Sequence, residues 1–200
     1  MGTAESPLVM KYLITEPRPE KLAASDIEVA VVGRSNVGKS SLLNALANQR
    51  QLAKVSGTPG RTRQINVFEV ALRKWVIDLP GYGYAKVPAS EQDRWKAMIE
   101  DYLLERESLA MLFVLVDAEI GPTKLDLQML DWVRANELDH RIVATKVDKV
   151  RPSKRSGRRV ELARGCGLLP SDIAWVSASK GDGIGSLRAE FRTLLEVHKR

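Results

Sequence analysis

The chain has 200 residues, 44% of them apolar, which is enough for one domain with a substantial core and too few for two comfortable domains. Its only cysteine, Cys166, excludes an internal disulfide and a cysteine-clustered metal site, and no apolar run approaches the ~20 residues that span a bilayer. The net charge of +6 favours a polyanionic partner. We therefore expect a cytoplasmic protein without a membrane partner. Separately, we expect it to be a monomer.

Residues 1–25 carry three prolines and predict an N-terminal extension, in which a short edge strand near residues 10–14 stays open. We expect residues 26–200 to form one domain. Strands are predicted at 27–32, 66–72, 74–77, 109–116, 141–144 and 173–176. Helices are predicted after residue 38 and at 90–103, 124–136, 152–164 and around 187–195. This alternation predicts a three-layer α/β fold with a mostly parallel six-stranded sheet, one antiparallel strand and helices on both faces.

The first predicted strand leads into a phosphate-binding loop with the pattern G-x-x-x-x-G-K-S. Its backbone N–H groups and the following helix dipole favour an anion. Lys39 is expected to reach the β- and γ-phosphates, and Ser40 to offer its hydroxyl to magnesium. A glycine-rich turn before an ordinary helix is the alternative. The predicted phosphate-contacting residues are Gly33, Arg34, Ser35, Asn36, Val37, Gly38, Lys39, Ser40 and Ser41.

A threonine that completes the magnesium shell is expected between this loop and the next motif. Thr58 and Thr62 both qualify by position. We favour Thr62, because Pro59 and Gly60 can turn the chain just before it, and Thr58 is then a turn residue.

A second phosphate-site motif, D-x-x-G, follows a predicted strand and consists of Asp78, Leu79, Pro80 and Gly81. The Asp78 carboxylate is suited to hold magnesium through water, and the Gly81 N–H can contact a γ-phosphate. Asp-x-Pro-Gly is also a common turn. The functional interpretation therefore depends on its place after a strand and downstream of a phosphate loop.

The identity of the nucleotide base is predicted by the motif Thr145-Lys146-Val147-Asp148, which follows a buried strand. Asp148 can accept two hydrogen bonds from guanine N1 and N2, and adenine offers no such donor pair. The Lys146 stem can pack along the base plane. After the last strand, further base contacts are expected from backbone groups at Val176, Ser177, Ala178 and Ser179.

With these elements placed, the chain resembles the translation-factor-related GTPases and, within them, the EngB (YsxC or YihA) family of ribosome-assembly GTPases. The resemblance is carried by residues 33–41, 59–62, 78–85 and 145–149, and it covers the chain from about residue 10. It implies a Ras-like P-loop GTPase domain, a link to cell division, and a role in maturing the large ribosomal subunit, with precursor rRNA and ribosomal proteins as partners. It also implies nucleotide contacts by Gly60 and Arg61, magnesium ligation by Ser40 and Thr62, and catalytic roles for Lys39, Thr62 and Gly81.

Two positions depart from the general GTPase pattern. Thr145 stands where N-K-x-D has Asn, so we expect the tie that an Asn amide makes to the phosphate loop to be lost and nucleotide binding to be weaker. Tyr82 occupies the place of the water-orienting glutamine, which predicts slow intrinsic hydrolysis. We favour a Tyr82 that points away from the phosphate and packs. Asn36 either binds an activating potassium ion or only stabilises the loop.

A basic stretch follows the guanine motif. Charge runs are usually solvated helix faces, but the family resemblance favours contact with RNA phosphates. The residues expected to make it are Lys154, Arg155, Arg158 and Arg159. A second functional hypothesis is an RNA-binding assembly protein in which GTP is mainly structural. A third, an ATP-dependent P-loop enzyme, is disfavoured by Asp148.

Overall fold

The computed structural model describes residues 6–53, 64–83 and 89–196 of the chain. Within them, seven strands form one sheet, accompanied by five α-helices. The strands are β1 (Lys11–Glu16), β2 (Ile27–Gly33), β3 (Ile65–Ala71), β4 (Lys74–Asp78), β5 (Leu109–Asp117), β6 (His140–Thr145) and β7 (Ile173–Trp175). The helices are α1 (Lys39–Ala47), α2 (Ala89–Glu105), α3 (Lys124–Ala135), α4 (Arg155–Gly165) and α5 (Ile184–Glu196).

The strand order is β1-β3-β4-β2-β5-β6-β7. Strand β3 runs antiparallel to both of its neighbours, and every other pair is parallel, so the expected single antiparallel strand is confirmed. The expected number of six strands is wrong, because β1 adds a seventh at the edge. It pairs with β3 from Lys11 opposite Glu69 to Glu16 opposite Ile65. Four of its six residues are exposed, so it lacks the buried alternation that marks a strand in a sequence.

Apolar side chains cover both faces of the sheet. On one face, Tyr102 of α2, Leu130 of α3 and Leu162 of α4 belong to one buried cluster. On the other, Leu43 of α1 and Phe191 of α5 belong to a second. All seven residues of β2 are buried, which is typical of a strand covered on both faces. The three-layer α/β fold expected from the sequence is therefore confirmed.

The carboxyl ends of β4, β2, β5, β6 and β7 meet at one edge of the sheet, because these strands are parallel. In open α/β sheets, ligands bind in the crevice outside this edge. The segments that leave it carry the four sequence motifs, after β2, β4, β6 and β7. In the described part of the chain, no helix combines the length and apolar character needed to cross a bilayer.

Candidate nucleotide-binding site

The loop between β2 and α1 has the backbone conformation of a phosphate-binding loop. A Cβ added to Gly33 would lie 2.9 Å from the Leu115 Cβ, so only glycine allows this approach. Gly38, which precedes α1, has a φ of +104°, a left-handed conformation that favours glycine. The N–H groups of the first helical turn have no partner within the helix, and they suit an anion. Arg34, Ser35 and Ser40 are half-buried, whereas Asn36 and Ser41 are exposed.

The D-x-x-G segment lies directly against this loop. The Ser35 N–H donates to the Tyr82 carbonyl at 2.9 Å, and the Tyr82 N–H donates to the Gly33 carbonyl at 3.3 Å. A Cβ on Gly81 would lie 3.2 Å from the Gly33 oxygen. Leu79 and Pro80, the two central residues of the segment, are buried. The two phosphate-site motifs are therefore held together by backbone contacts at the same edge of the sheet.

The Asp78 carboxylate is buried, with the residue 2% exposed, and it has two donors. The Lys39 ammonium forms a hydrogen-bonded ion pair with its Oδ1. The Asn66 side-chain amide donates to its Oδ2 at 3.2 Å. The Asn66 Oδ1 in turn accepts from the Thr15 hydroxyl at 2.7 Å, which connects Asp78 to the edge strand β1. Asn66 is a site residue that sequence reasoning missed.

The side-chain oxygens at this place are of the kind that bind a magnesium ion. Mg²⁺ prefers carboxylate and hydroxyl oxygens and usually keeps several waters. Asp78 presents a buried carboxylate at the end of β4, and Ser40 lies in the first turn of α1, next to Lys39. The predicted third contributor, Thr62, lies outside the described residues, as do Thr58, Gly60 and Arg61.

Thr145 ties the guanine motif to the phosphate loop. Its buried hydroxyl donates to the Val37 carbonyl at 2.6 Å and lies 3.3 Å from the Val116 carbonyl. The expectation that this tie is lost without an Asn amide is therefore wrong. A hydroxyl on the shorter side chain reaches the loop because β6 ends directly beside it.

Lys146 makes a second link between the two loops. Its ammonium donates to the Asn36 carbonyl at 2.7 Å and to the Asp117 Oδ2, also at 2.7 Å. Asp117, at the end of β5, is 2% exposed, and its other carboxylate oxygen accepts from the Glu119 N–H at 2.9 Å. Sequence reasoning missed Asp117, although a carboxylate ending a buried strand at this edge was a signal. For Asn36, the contact is made by the backbone, and potassium binding stays a prediction.

Asp148, the predicted guanine-binding carboxylate, is fixed by a serine from the next loop. The Ser177 hydroxyl donates to its Oδ1 at 2.6 Å, and this hydrogen bond is the main reason why the Asp148 pKa lies below its usual 3.8. A lower pKa keeps the carboxylate charged, as an acceptor for guanine N1 and N2 must be.

Some of the backbone N–H groups predicted to lie near guanine O6 already donate hydrogen bonds within the protein. The Ser177 N–H donates to the Asp182 carbonyl at 2.9 Å, and the Val176 N–H donates to the Ala144 carbonyl at 2.9 Å. The N–H groups of Ala178 and Ser179 are consequently the better candidates for O6. The Ser177 side chain acts through Asp148, a role that sequence reasoning did not assign.

The Tyr82 side chain points toward α3. Its hydroxyl donates to Asp126 Oδ1 at 2.8 Å, and burial raises the Tyr82 pKa well above its usual value. Asp126 also caps α3 by accepting from the Thr123 N–H at 2.8 Å. These contacts agree with the favoured interpretation that Tyr82 packs and does not orient water.

The basic residues follow the guanine loop closely. Lys154 is exposed and ends a 3₁₀ turn (Pro152–Lys154), so the α-helix itself begins at Arg155, later than the predicted residue 152. Arg155 and Arg158 are half-buried, and Arg159 is exposed. The structure therefore gathers Arg155, Arg158 and Arg159 on the first turns of one helix beside the predicted guanine site.

Comparisons with known proteins agree with this geometry. A family profile described as 50S ribosome-binding GTPase matches residues 28–146. A probable GTP-binding protein EngB from Geobacter sulfurreducens is 39% identical over 186 residues, covering 92% of this chain and 90% of the relative. Another, from Thermotoga maritima, is 47% identical over 170 residues, covering 84% of this chain and 87% of the relative. A solved structure of a probable GTP-binding protein engB has a TM-score of 0.67 at 24% identity, covering 84% of this chain and 98% of that chain, a likeness in fold.

Proposed function

The chain belongs to the EngB family of P-loop GTPases, and from this membership we propose that it acts as a nucleotide-controlled switch in assembly of the large ribosomal subunit. The protein binds GTP and GDP and hydrolyses GTP. In the proposed cycle, the GTP form binds the precursor particle in the cytoplasm as a monomer, and the protein leaves after hydrolysis. The family description, 50S ribosome-binding GTPase, supports this choice of partner.

The observation that carries the nucleotide-binding part of the proposal is that hydrogen bonds join the guanine loop to the phosphate loop. Thr145 and Lys146 each bond to a carbonyl of the phosphate loop, at 2.6 and 2.7 Å. The guanine carboxylate of Asp148 is thereby held in a fixed relation to the N–H groups that suit phosphates. An arrangement of this kind selects a complete guanine nucleotide, because base and phosphates are recognised by one rigid unit.

For hydrolysis, we assign Lys39 to the β- and γ-phosphates and the Gly81 N–H to the γ-phosphate. Ser40, Thr62 and, through water, Asp78 would hold magnesium, which when bound neutralises phosphate charge. The ion pair between Lys39 and Asp78 keeps both side chains at this point of the site. Because Tyr82 is bonded to Asp126 and offers no water-orienting amide, we expect a low intrinsic rate. Potassium at Asn36 is one source of acceleration that fits the proposal.

The basic residues beside the guanine loop support contact with ribosomal RNA. Phosphate contacts by Arg and Lys supply most sequence-independent affinity for nucleic acids. The contacts are assigned to Lys154, Arg155, Arg158 and Arg159, which follow the guanine loop without an intervening strand. Their charge also favours the second candidate, an RNA-binding assembly protein for which GTP only stabilises the fold.

Co-sedimentation with ribosomal particles separates the two candidates. We expect the protein to sediment with large-subunit precursors when loaded with a non-hydrolysable GTP analogue and to stay in the supernatant with GDP. Equal sedimentation with both nucleotides would favour the structural role of GTP. Absence of sedimentation with either nucleotide would contradict the ribosomal assignment. Asp148→Asn is a control, because it is expected to weaken the binding of GTP but not that of xanthosine triphosphate. Added xanthosine triphosphate should then restore sedimentation of this variant with the particles.

A further inference from the structure

A pocket of about 340 Å³ lies beside the guanine site, between the guanine loop, the end of β7 and α4. Its volume is within the ~300–1,000 Å³ typical of small-molecule sites. Its lining residues form an apolar and a polar group. The apolar group includes Val147, Val150 and Trp175, and the polar group includes Arg155, Arg158 and Arg159.

The pocket carries an excess of positive charge, with three arginines and one aspartate in its lining. Arg155 Nε donates to the Val150 carbonyl at 3.2 Å, and the Arg159 guanidinium lies 5.4 Å from the Trp175 ring centre, so neither of these contacts supplies a counter-charge. Arg158 pairs with Glu161 at 3.1 Å, but that glutamate side chain is 70% exposed. Ion pairs at this spacing along one helix are weak and depend on salt. The pocket is therefore suited to an anion.

Planar groups at the pocket add a second kind of recognition. The Trp175 indole is fixed by a hydrogen bond from its Nε1 to the Pro170 carbonyl at 2.9 Å, and the Arg159 guanidinium lies over its ring. Unpaired RNA bases stack on aromatic rings and on arginine planes. An anion with an attached flat base uses the arginines and the aromatic wall together, whereas a free phosphate uses only the arginines.

We propose that this pocket takes one unpaired nucleotide of an RNA strand, with its base against Trp175 and Arg159 and its phosphate on Arg155 and Arg158. The inference rests on the proposed contact with ribosomal RNA and assigns that contact to a specific cavity. It predicts a preference for single-stranded over duplex RNA, because a paired base cannot enter.

The pocket shares its walls with the guanine site. Val147 and Val150 flank the segment that carries Asp148. On the other side, the Asp182 carbonyl accepts from the Ser177 N–H at 2.9 Å, while the Ser177 hydroxyl donates to Asp148. A nucleotide in the pocket would therefore touch both loops that are expected to hold the guanine, so RNA binding and guanine-nucleotide binding would affect each other.

The test uses the full-length protein and a fluorescein-labelled single-stranded RNA dodecamer, with fluorescence anisotropy as the measurement. Arg159→Gln removes the stacked guanidinium. Arg164→Gln is the matched control, because Arg164 is an exposed residue of the same helix, outside the pocket lining, and the change removes the same charge. Retained affinity for fluorescent GDP verifies that each variant is folded.

We expect Arg159→Gln to weaken binding of the dodecamer about tenfold, Arg164→Gln to change it less than about twofold, and Trp175→Leu to act like Arg159→Gln. Equal losses of dodecamer affinity in the two arginine variants would contradict the proposed pocket. They would indicate that RNA is attracted only by the overall positive charge of the helix. The proposed pocket is also contradicted if the unmodified protein fails to bind the dodecamer, prefers duplex RNA, or releases it completely to millimolar inorganic phosphate.

The ribosomal assignment is tested separately by co-sedimentation of the same proteins. If Arg159→Gln sediments with precursor particles as the unmodified protein does, the pocket is not the ribosomal contact, while the proposed function is retained. The opposite result is that the unmodified protein fails to sediment with the particles, although Arg159→Gln loses affinity for the dodecamer. In that case the proposed RNA pocket is supported and the proposed ribosomal function is contradicted.

Discussion

The hydroxyl of Thr145 donates a hydrogen bond of 2.6 Å to the carbonyl of Val37, and this contact joins the guanine loop to the phosphate loop. The two residues are 108 positions apart in the chain. Both are buried, so water cannot replace the bond if either partner is lost. In the general GTPase pattern an Asn amide has this place, and here a shorter side chain performs the same donation.

Thr145→Val should remove this tie while keeping the shape of the side chain. We expect a loss of about 1–3 kcal/mol in the free energy of unfolding, because the Val37 carbonyl is left buried without its donor. GDP affinity should fall about tenfold, by roughly the same energy. Thr145→Ser, which retains the hydroxyl, is the control and should stay close to the unmodified protein. Urea unfolding and fluorescent GDP titration measure both, and an unchanged GDP affinity would restrict the contact to folding.

The amide of Asn66 orients the carboxylate expected to serve magnesium, with a 3.2 Å bond to Asp78. Groups that orient a metal ligand typically change metal affinity about 10–100-fold when removed. Asn66→Ala should therefore raise the magnesium concentration needed to retain GDP about tenfold. Thr15→Val, which removes only the hydroxyl that holds the amide, should have a smaller effect in the same direction. Release of fluorescent GDP at graded magnesium is the measurement, and an unchanged magnesium midpoint would show that Asn66 does not position Asp78.

The arrangement of the sheet could be predicted because buried strands leave a continuous apolar signal. Strand β5 has six fully buried residues in succession, and its limits were found almost to the residue. Strand β1 left no such signal, since Tyr12, Leu13 and Ile14 are exposed and nothing in their spacing separates an edge strand from an extended tail.

The residues of the candidate site also fall into those that the sequence predicts and those that it does not. Lys39, Asp78 and Asp148 belong to short contiguous motifs, so their chemistry is visible in sequence. Asn66 reaches Asp78 only through strand register, where a bulge between Glu69 and Ala71 shifts the pairing of β3 with β4. Without that shift, Val67 would lie opposite Asp78. A one-residue shift also exchanges the two faces of a strand, and single-sequence patterns do not reveal it.

Tyr82→Phe tests whether the phenol takes part in hydrolysis. The hydroxyl is engaged by Asp126 at 2.8 Å, so its removal should cost about 1–3 kcal/mol of stability and leave the single-turnover rate of GTP hydrolysis within about twofold. Tyr102→Phe is a matched control, because the Tyr102 hydroxyl donates to the buried carboxylate of Glu28 at 2.6 Å, at the other end of β2. A tenfold change in rate for Tyr82→Phe alone would assign the hydroxyl to catalysis.

The bond from Ser177 to Asp148 makes guanine binding depend on pH in a defined direction. Asp148 is predicted to bind guanine as a carboxylate, and its pKa lies below 3.8, chiefly because the Ser177 hydroxyl donates to the charged form. Binding that depends on this group is complete above its ordinary pKa and is lost only as the pH falls through the lowered value. Ser177→Ala should raise the pKa toward 3.8, so the loss begins at a higher pH.

We therefore expect the GDP affinity of Ser177→Ala, relative to that of the unmodified protein, to decline as the pH is lowered from about 5 to about 3. Other acidic groups and the GDP phosphates titrate alike in both proteins, so the ratio of affinities isolates Asp148. Ser186→Ala, an exposed serine on α5, should keep a ratio near one throughout. A constant ratio for Ser177→Ala would contradict the role of Ser177 in keeping Asp148 charged, and a direct titration of the Asp148 carboxyl by NMR should show the same upward shift.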